Sequence, residues 1–325
     1  MLNQDIIAAS DRIKDHVRRT TFEWSSMISQ LTGADVWLKM ENQQHTGSFK
    51  FRGAINKMLT LSQSERDSGI YGASTGNHGA AVAYACTELN LPCIIYVPEK
   101  SSDAKLVNMK SYGAEIKVFG KDCMDGELKA REVAETSGGI YLSPYNDPEV
   151  VNGQGTIARE IETQSDGLDA VIVSIGGGGL ISGAINVFKQ LSSKTKIIGI
   201  QTMGAPAMKK SIKQNKLVTL NEIDNFVDGA AVRKVGNLTF DYCKKYLDDI
   251  VIIDENEICK TVLDLEKNHN IIAEPAGAMS ITALRQVKEE IIGKNVVCII
   301  CGGNNDKSRM PDIISRSNDW INKVN

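Results

Sequence analysis

Short apolar runs alternate with segments of helical spacing along most of the chain. Five runs are almost continuously apolar and rich in β-branched residues: 92–97, 170–173, 196–200, 250–253 and 296–300. Such runs are typical of strands that are buried on both faces of a parallel sheet. The stretches between them, such as 79–89 and 255–268, have the spacing of helices. This alternation predicts an α/β fold with mainly parallel, twisted sheets flanked by helices.

The chain shows no repeat of solenoid length and no low-complexity linker, so no clean boundary between units is visible. Two stretches, 137–139 and 144–148, combine glycine, proline and small polar residues. Because such residues commonly form turns, we expect the chain to cross from one unit to another in this region.

Composition and charge exclude several classes of protein. The 325 residues are enough for two packed units, and 42% hydrophobic with 24% charged residues is ordinary for a globular protein. A formal net charge of −3 gives no broad positive field, so no nucleic-acid partner is expected. No apolar run suits a membrane span or a signal peptide, so we expect a cytoplasmic protein without a membrane partner.

The seven cysteines stand at positions 86, 93, 123, 243, 259, 298 and 301. Their number is odd and no pair has the CxxC spacing, so the sequence indicates neither a disulfide framework nor a structural zinc site. Reduced thiols are consistent with the cytoplasm.

Lys50 stands between Phe49 and Phe51 and is the first candidate for chemistry. A lysine in such a setting is most often a surface side chain whose stem packs on its neighbours. A reactive lysine needs a partly dry environment that lowers its pKa, so that the neutral amine can attack a carbonyl group. The two aromatic rings could provide that environment.

A second candidate is the segment 73–79, Ala-Ser-Thr-Gly-Asn-His-Gly, which leads from an apolar run into a helix predicted to begin near Gly79. Backbone N–H groups and hydroxyls from Ser74 to Asn77 could bind an anion such as a carboxylate. An ordinary capped turn explains the same residues equally well. We call residues 74–76 the carboxylate loop.

Four consecutive glycines, residues 176–179, follow the apolar run 170–173 and form what we call the glycine loop. Each glycine inside a strand would cost up to about 1 kcal/mol relative to alanine, so a loop that wraps an anion explains them better. No GK[ST] sequence follows, and no dinucleotide-binding pattern with an acidic ribose partner is present. The loop therefore indicates a phosphate group without indicating a nucleotide.

The segment Cys301-Gly302-Gly303-Asn304 follows the last strong apolar run. It places a polar side chain at the carboxyl end of a strand, where ligands bind in open α/β sheets. A plain glycine turn is the alternative interpretation.

Taken in order, these four segments resemble the serine/threonine dehydratase family of fold type II pyridoxal-phosphate enzymes. This branch includes threonine dehydratases, serine racemases and hydroxyaspartate dehydratases. The resemblance extends from about Arg18 to Asp306 and includes further matching segments at 144–148, 153–156 with Glu160, 228–229, 236–240 and 274–278. Such an ordered set is far more specific than any single motif.

The resemblance implies the architecture of a tryptophan synthase β-like enzyme with pyridoxal 5'-phosphate as its cofactor. A large cofactor-binding domain would comprise residues 1–68 and 147–325, and a small mobile substrate domain would comprise residues 69–146. Closure of the small domain over the substrate would exclude water. A homodimer or homotetramer is implied as well.

The resemblance also assigns roles around the cofactor. Lys50 would bind it as a Schiff base and would then take the α-proton of the substrate as general base. Further contacts to the cofactor ring would come from Phe49, Asn77, Glu274 and Cys301. The cofactor phosphate would be bound by Gly176, Gly177, Gly178, Gly179 and Leu180.

Binding of the substrate carboxylate is implied for Ser74, Thr75, Gly76 and His78. Thr75 is also a candidate catalytic residue, because racemases of the family carry at this position a serine that acts as a second base. The simpler interpretation is that Thr75 shapes the carboxylate loop, and racemisation is an open alternative.

Besides Thr75, the sequence departs from the family pattern at two places. Cys301 replaces the usual serine beside the pyridine nitrogen; a neutral thiol would keep that nitrogen unprotonated and favour elimination. The run 196–200 is followed by residues 201–205, Gln-Thr-Met-Gly-Ala, with no acid where some relatives bind a divalent cation. No metal is therefore expected.

The predicted function is dehydration of a small β-hydroxy amino acid, L-threonine or L-serine, to a 2-oxo acid and ammonia. Alternatives within the fold are a serine racemase, or a dehydratase of 3-hydroxyaspartate or of a larger hydroxy-amino acid as in hydroxyectoine breakdown. The second carboxylate of 3-hydroxyaspartate would need a cation, for which His45 and Arg52 are candidates. A ligand-sensing protein without activity is disfavoured, because it would have no need of the lysine and the glycine loop. A nicotinamide-dependent dehydrogenase is disfavoured, because the sequence lacks the dinucleotide loop that it would need.

Overall fold

Two mainly parallel sheets flanked by helices form the protein in a computed structural model that describes residues 2–101, 103–191 and 194–324. The strands are β1 (Phe22–Trp24), β2 (Asp35–Met40), β3 (Ile70–Ala73), β4 (Cys93–Val97), β5 (Glu115–Val118), β6 (Ile140–Tyr141), β7 (Ala170–Ser174), β8 (Lys196–Thr202), β9 (Asp249–Ile253) and β10 (Asn295–Ile300). The predicted fold class is confirmed.

The helices lie between the strands and cover both sheets. They are α1 (Leu2–Ile13), α2 (Ser26–Thr32), α3 (Lys50–Thr60), α4 (Gln63–Asp67), α5 (Asn77–Glu88), α6 (Asp103–Ser111), α7 (Cys123–Ser137), α8 (Pro148–Gln164), α9 (Gly179–Leu191), α10 (Ala207–Gln214), α11 (Asn237–Tyr246), α12 (Glu255–His269), α13 (Pro275–Thr282), α14 (Lys288–Ile291) and α15 (Met310–Val324). Helix α5 begins two residues before the predicted start at Gly79, so Asn77 and His78 lie in its first turn.

The larger sheet has six strands in the order β1-β2-β10-β7-β8-β9, and the smaller sheet has four in the order β5-β4-β3-β6. Within the described part of the chain, β1 and β2 form the one antiparallel pair, and all other pairs are parallel. All five residues of β7 are buried. Strands covered on both faces explain why the apolar runs are continuous rather than alternating.

The four strands of the smaller sheet all lie within residues 70–141. Its hydrophobic core, however, also includes Ile13 of α1 and Phe51, Ile55 and Met58 of α3. Helix α3 therefore packs against the smaller sheet although it precedes that sheet in the chain. The domain boundaries at residues 69 and 146 remain a prediction.

Strands β3, β7 and β10 end directly before the carboxylate loop, the glycine loop and the segment that begins at Cys301. Parallel strands bring such ends to the same edge of a sheet, as for β7 and β10 of the larger sheet, and the end of β3 in the smaller sheet lines the same cleft. The fold thus directs all three segments toward the start of α3, where Lys50 lies.

No helix within the described ranges is both long enough and apolar enough to cross a membrane. The seven cysteines, all within the described residues, form no disulfide bond, and six of them are buried.

Candidate active site

Lys50 is the first residue of α3 and is held at the meeting point of the two sheets. The backbone N–H of Phe49 donates a hydrogen bond of 3.0 Å to the carbonyl of Cys301 at the end of β10. The Lys50 Nζ donates to the Pro144 carbonyl at 3.2 Å and lies 5.1 Å from the centre of the Phe49 ring. Burial lowers the pKa of Lys50 to about 8, although Cys301 and Glu274 act in the opposite direction. Neutral amine is therefore available near neutral pH.

Two adjoining cavities meet at Lys50. The first is enclosed by the glycine loop and is lined by Phe49, Lys50, Tyr145, Ser174, Gly176, Gly177, Gly178, Gly179, Leu180, Gly229, Ala230, Ala276 and Cys301. The second is a wide cleft between the sheets, and it contains the remaining residues with an assigned role, namely Ser74, Thr75, Gly76, Asn77, His78 and Glu274. The fold thus brings every residue assigned to the cofactor, to the α-carboxylate or to catalysis into one connected space.

The middle of the glycine loop is packed so closely that no larger residue would fit at Gly177 or Gly178 without a shift of its neighbours. A Cβ atom on Gly177 would overlap the ring of Tyr145, and a Cβ atom on Gly178 would lie 2.7 Å from Cβ of Thr239. Gly178 also has a φ of +98°, which other residues rarely adopt. Within the described part of the chain, the N–H groups of residues 176–178 donate to no protein acceptor. Together with the amino end of α9 they form a site that fits a phosphate group.

A chain of side-chain amides links the segments around Lys50. Asn77 donates from Nδ2 to Oε1 of the buried Glu274 at 2.6 Å. Asn304 donates from Nδ2 to Oδ1 of Asn77 at 2.8 Å and to the carbonyl of Thr46 at 2.7 Å. Because Oδ1 of Asn77 accepts from Asn304, the Nδ2 group of Asn77 faces Glu274 and the cleft. The Nδ2 group of Asn77 is therefore placed to donate to a hydroxyl substituent on an aromatic ring.

Cys301 lies buried at the end of β10, where its Sγ is 3.3 Å from the Ala276 carbonyl. The Ser174 hydroxyl donates to the same carbonyl at 3.0 Å. Burial and the neighbouring Glu274 carboxylate raise the pKa of Cys301 to about 12. The side chain is therefore a neutral thiol at physiological pH and can face a ring nitrogen without protonating it.

The carboxylate loop is more open than the glycine loop. The Gly76 N–H donates to the Ser74 hydroxyl at 3.1 Å, and a Cβ atom on Gly76 would meet no atom within 4 Å. His78 is buried, and its Nε2 donates to the Leu142 carbonyl at 2.9 Å. Burial and the nearby Lys50 lower the pKa of His78 to about 3, so this ring is neutral and adds no charge to the loop.

Arg52 and His45, the two cations considered for a second substrate carboxylate, do not line the cleft. Arg52 is fully buried and donates to Glu41 at 2.8 Å and to Glu160 at 2.7 Å. The His45 ring stacks on Tyr84 with 5.6 Å between ring centres. Neither side chain is placed to bind substrate, because each is engaged in packing away from Lys50.

The loop after β8 is held by Gln201 near the end of the strand and by Glu255, whose Oε1 accepts from the Gly204 N–H at 2.7 Å. Gln201 accepts from the N–H of Lys209 at 2.9 Å, and its Nε2 group is 3.4 Å from the carbonyl of Ala205. Among the residues that the structure describes, no three His, Cys, Asp or Glu side chains converge as metal ligands.

Two residues without a role assigned from the sequence complete the glycine loop. The Tyr145 ring packs on Gly177, and its hydroxyl donates to the Lys234 carbonyl at 3.2 Å. The Thr239 hydroxyl donates to the Gly177 carbonyl at 2.6 Å. Both residues lie in segments that carry the family resemblance, which was the available signal, but neither residue type by itself indicates a binding site.

The geometry therefore places a reactive amine between two anion-binding loops. The glycine loop is suited to a permanently bound phosphate group, and the carboxylate loop is suited to the carboxylate of an amino acid. A ligand held by its phosphate would present its opposite side to Lys50, Asn77 and the open cleft. Such an arrangement can bind an amino acid next to an aldehyde cofactor and move a proton at the α-carbon.

Comparison with known proteins gives consistent matches. Residues 13–302 match the family described as pyridoxal-phosphate dependent enzyme. A biosynthetic L-threonine dehydratase of Halalkalibacterium halodurans is 42% identical over 318 residues, which cover 97% of this chain and 77% of that protein.

Solved structures give the same result. The processed form of threonine deaminase isoform 2 from Solanum lycopersicum has a TM-score of 0.93 and 33% identity, and the match covers 98% of this chain and 88% of that one. Maize serine racemase has a TM-score of 0.90 and 28% identity, with 98% of each chain covered. The range that matches the family contains Lys50 and both anion-binding loops.

Proposed function

The chain belongs to the family of pyridoxal-phosphate dependent enzymes, and from that premise we propose that it converts L-threonine to 2-oxobutanoate and ammonia. L-Serine, which would give pyruvate and ammonia, is the second expected substrate. The observation that carries the proposal is the position of Lys50 between the glycine loop and the carboxylate loop. The similarity to proteins named L-threonine dehydratase and threonine deaminase supports the choice of substrate.

Pyridoxal phosphate, when bound, supplies an aldehyde that links to amines and a conjugated ring that withdraws electrons from the α-carbon. The glycine loop would bind the cofactor phosphate, Lys50 would bind the aldehyde carbon, and Asn77 would donate to the ring hydroxyl. Cys301 would face the ring nitrogen. Glu274 would lie at the edge of the ring, and Phe49 would pack beside it. The unpaired N–H groups of the glycine loop and the neutral thiol of Cys301 support this placement.

Lys50 would act first as nucleophile and then as general base. Its lowered pKa, about 8, gives a substantial neutral fraction at physiological pH, and only the neutral amine can attack a carbonyl or accept a proton. When it is free, the Nζ atom of Lys50 would accept the α-proton of the substrate. The Pro144 carbonyl, 3.2 Å away, would then hold the protonated amine in place.

The carboxylate loop would orient the substrate. Its N–H groups and the amino end of α5 favour a carboxylate, which would leave the α-hydrogen directed toward Lys50. His78 is neutral and therefore contributes position rather than charge. We assign Thr75 to shaping this loop, and a role for its hydroxyl as a second base is tested by the experiment below.

The test is a panel of substrates offered to the purified protein with added pyridoxal phosphate. It measures ammonia and 2-oxo acid from L-threonine, L-serine, D-serine and both 3-hydroxyaspartate diastereomers, and it checks the remaining amino acid for inversion. Fast formation of 2-oxobutanoate from L-threonine is the expected result, and Lys50→Ala is expected to abolish it. Substantial turnover by Lys50→Ala would disprove the role of Lys50.

The other outcomes select between the alternatives. Inversion of serine faster than its elimination would identify a racemase and give Thr75 a catalytic role. Preference for hydroxyaspartate would identify a dehydratase of that acid and would assign its second carboxylate to a cation of the cleft other than Arg52 and His45. No turnover with any substrate, despite bound cofactor, would exclude L-threonine as substrate and leave a larger hydroxy-amino acid as the alternative.

Three further features are part of the proposal. We propose that the unit of residues 69–146 moves to close the cleft over the substrate.

We also propose that the protein forms a homodimer or homotetramer. Exposed apolar side chains of Trp24, Met27 and Leu31 on the neighbouring elements β1 and α2 support this assembly, and light scattering tests it. We propose a cytoplasmic location, supported by seven cysteines that form no disulfide bond within the described residues.

A further inference from the structure

Helix α11 lies behind the glycine loop and contacts it through one buried side chain. Thr239, in the first turn of α11, is fully buried. Its hydroxyl donates to the Gly177 carbonyl at 2.6 Å and lies 3.2 Å from the Gly236 carbonyl. The Gly236 N–H points to the same Gly177 oxygen at 3.5 Å. The Gly177 carbonyl is therefore directed firmly toward α11.

This contact also fixes the next N–H group. A trans peptide places its carbonyl and its N–H on opposite sides, and the described chain contains no cis peptide bond. With the Gly177 oxygen turned toward α11, the Gly178 N–H must point away from α11. That direction leads into the cavity that the glycine loop encloses.

Gly178 and Thr239 are complementary in shape as well. Gly178 has a φ of +98°, and a Cβ atom there would lie 2.7 Å from Cβ of Thr239 and 2.8 Å from its hydroxyl. The absence of a side chain at residue 178 is therefore what allows Thr239 to approach the Gly177 carbonyl. Because the Gly178 N–H has no protein acceptor within the described residues, it is available to donate to a ligand in the cavity.

We propose that Thr239 is a positioning residue that holds the Gly177–Gly178 peptide so that the Gly178 N–H binds the phosphate of the cofactor. The inference rests on the proposed placement of that phosphate on the glycine loop. Thr239 touches neither cofactor nor substrate, and it acts by fixing the orientation of one peptide group. Its contribution is specific to the phosphate and does not extend to the pyridine ring.

The test compares two ligands on the full chain freed of cofactor. Pyridoxal phosphate and pyridoxal share the ring and the aldehyde, and they differ in the phosphate. Dissociation constants for both are measured by fluorescence titration with wild type, Thr239→Val, which is nearly isosteric but lacks the donor, and Thr239→Ser, which retains it. Thr239→Val is expected to weaken binding of pyridoxal phosphate about five-fold or more and to leave pyridoxal within about two-fold. Thr239→Ser is expected to bind both ligands as wild type does.

Thr282→Val is the matched control. Thr282 is buried, and its hydroxyl donates to the Ala278 carbonyl at 3.0 Å at the far end of α13, away from the glycine loop. The control loses the same kind of hydrogen bond, so its ratio of the two dissociation constants is expected to equal that of wild type. Circular dichroism of each variant reports whether it is folded. Should Thr239→Val not fold, Thr239→Ala replaces it, with the same ratio change expected against Thr239→Ser.

An equal loss of affinity for both ligands in Thr239→Val, or no loss for either, would overturn the inference. The inference would also be overturned if Thr239→Ser lost affinity for pyridoxal phosphate as Thr239→Val is expected to do. If wild type itself bound pyridoxal as tightly as pyridoxal phosphate, the placement of the phosphate on the glycine loop would fail, independently of Thr239.

Discussion

The two loops that face Lys50 use the same backbone arrangement but differ in how they are surrounded. Each follows the carboxyl end of a parallel strand and precedes the amino end of a helix, β7 and α9 for the glycine loop and β3 and α5 for the carboxylate loop. The glycine loop is packed against the ring of Tyr145 and the side chain of Thr239. At Gly76 of the carboxylate loop, a Cβ atom would meet nothing within 4 Å.

This difference teaches what each site is built to hold. A close-packed loop has its N–H groups fixed before the ligand arrives, which suits a cofactor that stays bound. An open loop can admit and release a ligand in each cycle, which suits a substrate and agrees with the proposed closure of the small unit. Under the proposed function, two loops with similar backbones would bind a permanent and a transient ligand, and their neighbouring side chains would account for the difference.

Substitution within the glycine loop is expected to have the largest effect. In Gly178→Ala the new methyl group meets Thr239 at 2.7 Å and the φ of +98° becomes strained. Overpacking costs about 1–3 kcal/mol, so the dissociation constant of the cofactor is expected to rise about five- to 150-fold. Fluorescence titration measures it. An affinity equal to that of wild type would contradict the idea that this loop is fixed by packing.

The pH dependence of cofactor attachment tests the lowered pKa of Lys50, the amine that lies between the two loops. Burial lowers the pKa of Lys50 to about 8, and only the neutral form reacts. The rate of covalent attachment to the cofactor-free chain is therefore expected to reach a plateau above about pH 8 and to fall about ten-fold per unit below it, to about 1% of the plateau at pH 6. Stopped-flow absorbance follows the reaction. A rate that still rises ten-fold per unit between pH 8 and pH 10 would show an ordinary exposed lysine.

Removal of the amide that links the two sides of the cleft is expected to have a smaller effect. Asn304→Ala deletes the hydrogen bonds to Asn77 and Thr46, and the loss of about 1 kcal/mol would weaken cofactor binding about five-fold. Asn305→Ala is the matched control, because its Nδ2 contacts Met310 rather than the site. Equal losses in both variants would show that the effect is not specific to Asn77.

The smallest effect is expected in the open loop. Gly76→Ala places a methyl group where no atom lies within 4 Å, so the cofactor dissociation constant should stay within about two-fold of wild type. A rise in KM for L-threonine without a change in cofactor affinity would agree with a substrate role. Loss of cofactor from Gly76→Ala, comparable to that in Gly178→Ala, would remove the distinction between the loops.

Much of the fold follows from local patterns. The apolar runs predicted five strands because buried parallel strands need no polar alternation, as in the fully buried β7. Strand β2 was not predicted, because its pattern is interrupted by Lys39, whose buried Nζ is paired with Glu160 at 2.6 Å and donates to Thr20 and Gln164. A charge neutralised by a residue more than a hundred positions away leaves no local signal.

The site was predictable as a set of segments but not as a set of contacts. The sequence suggested that Phe49 and Phe51 exclude water from the Lys50 amine. Phe49 does lie next to the amine, whereas Phe51 packs against His45 and Tyr84 instead. Much of the surroundings of Lys50 comes from distant segments, including Pro144. Distant packing also explains why Tyr145 and Thr239 escaped prediction, since their roles arise from the space that glycines leave open.

The most direct test of the account identifies the lysine that holds the cofactor. Borohydride reduction of the protein with bound pyridoxal phosphate fixes the linkage, and mass spectrometry of the digest locates it. Lys39 is the internal comparison, because it is also buried but its Nζ is paired with Glu160 and bound to Gln164 at 2.9 Å. The account predicts the modified residue to be Lys50, with Lys39 unmodified. A cofactor found on Lys39, or on any lysine other than Lys50, would contradict it.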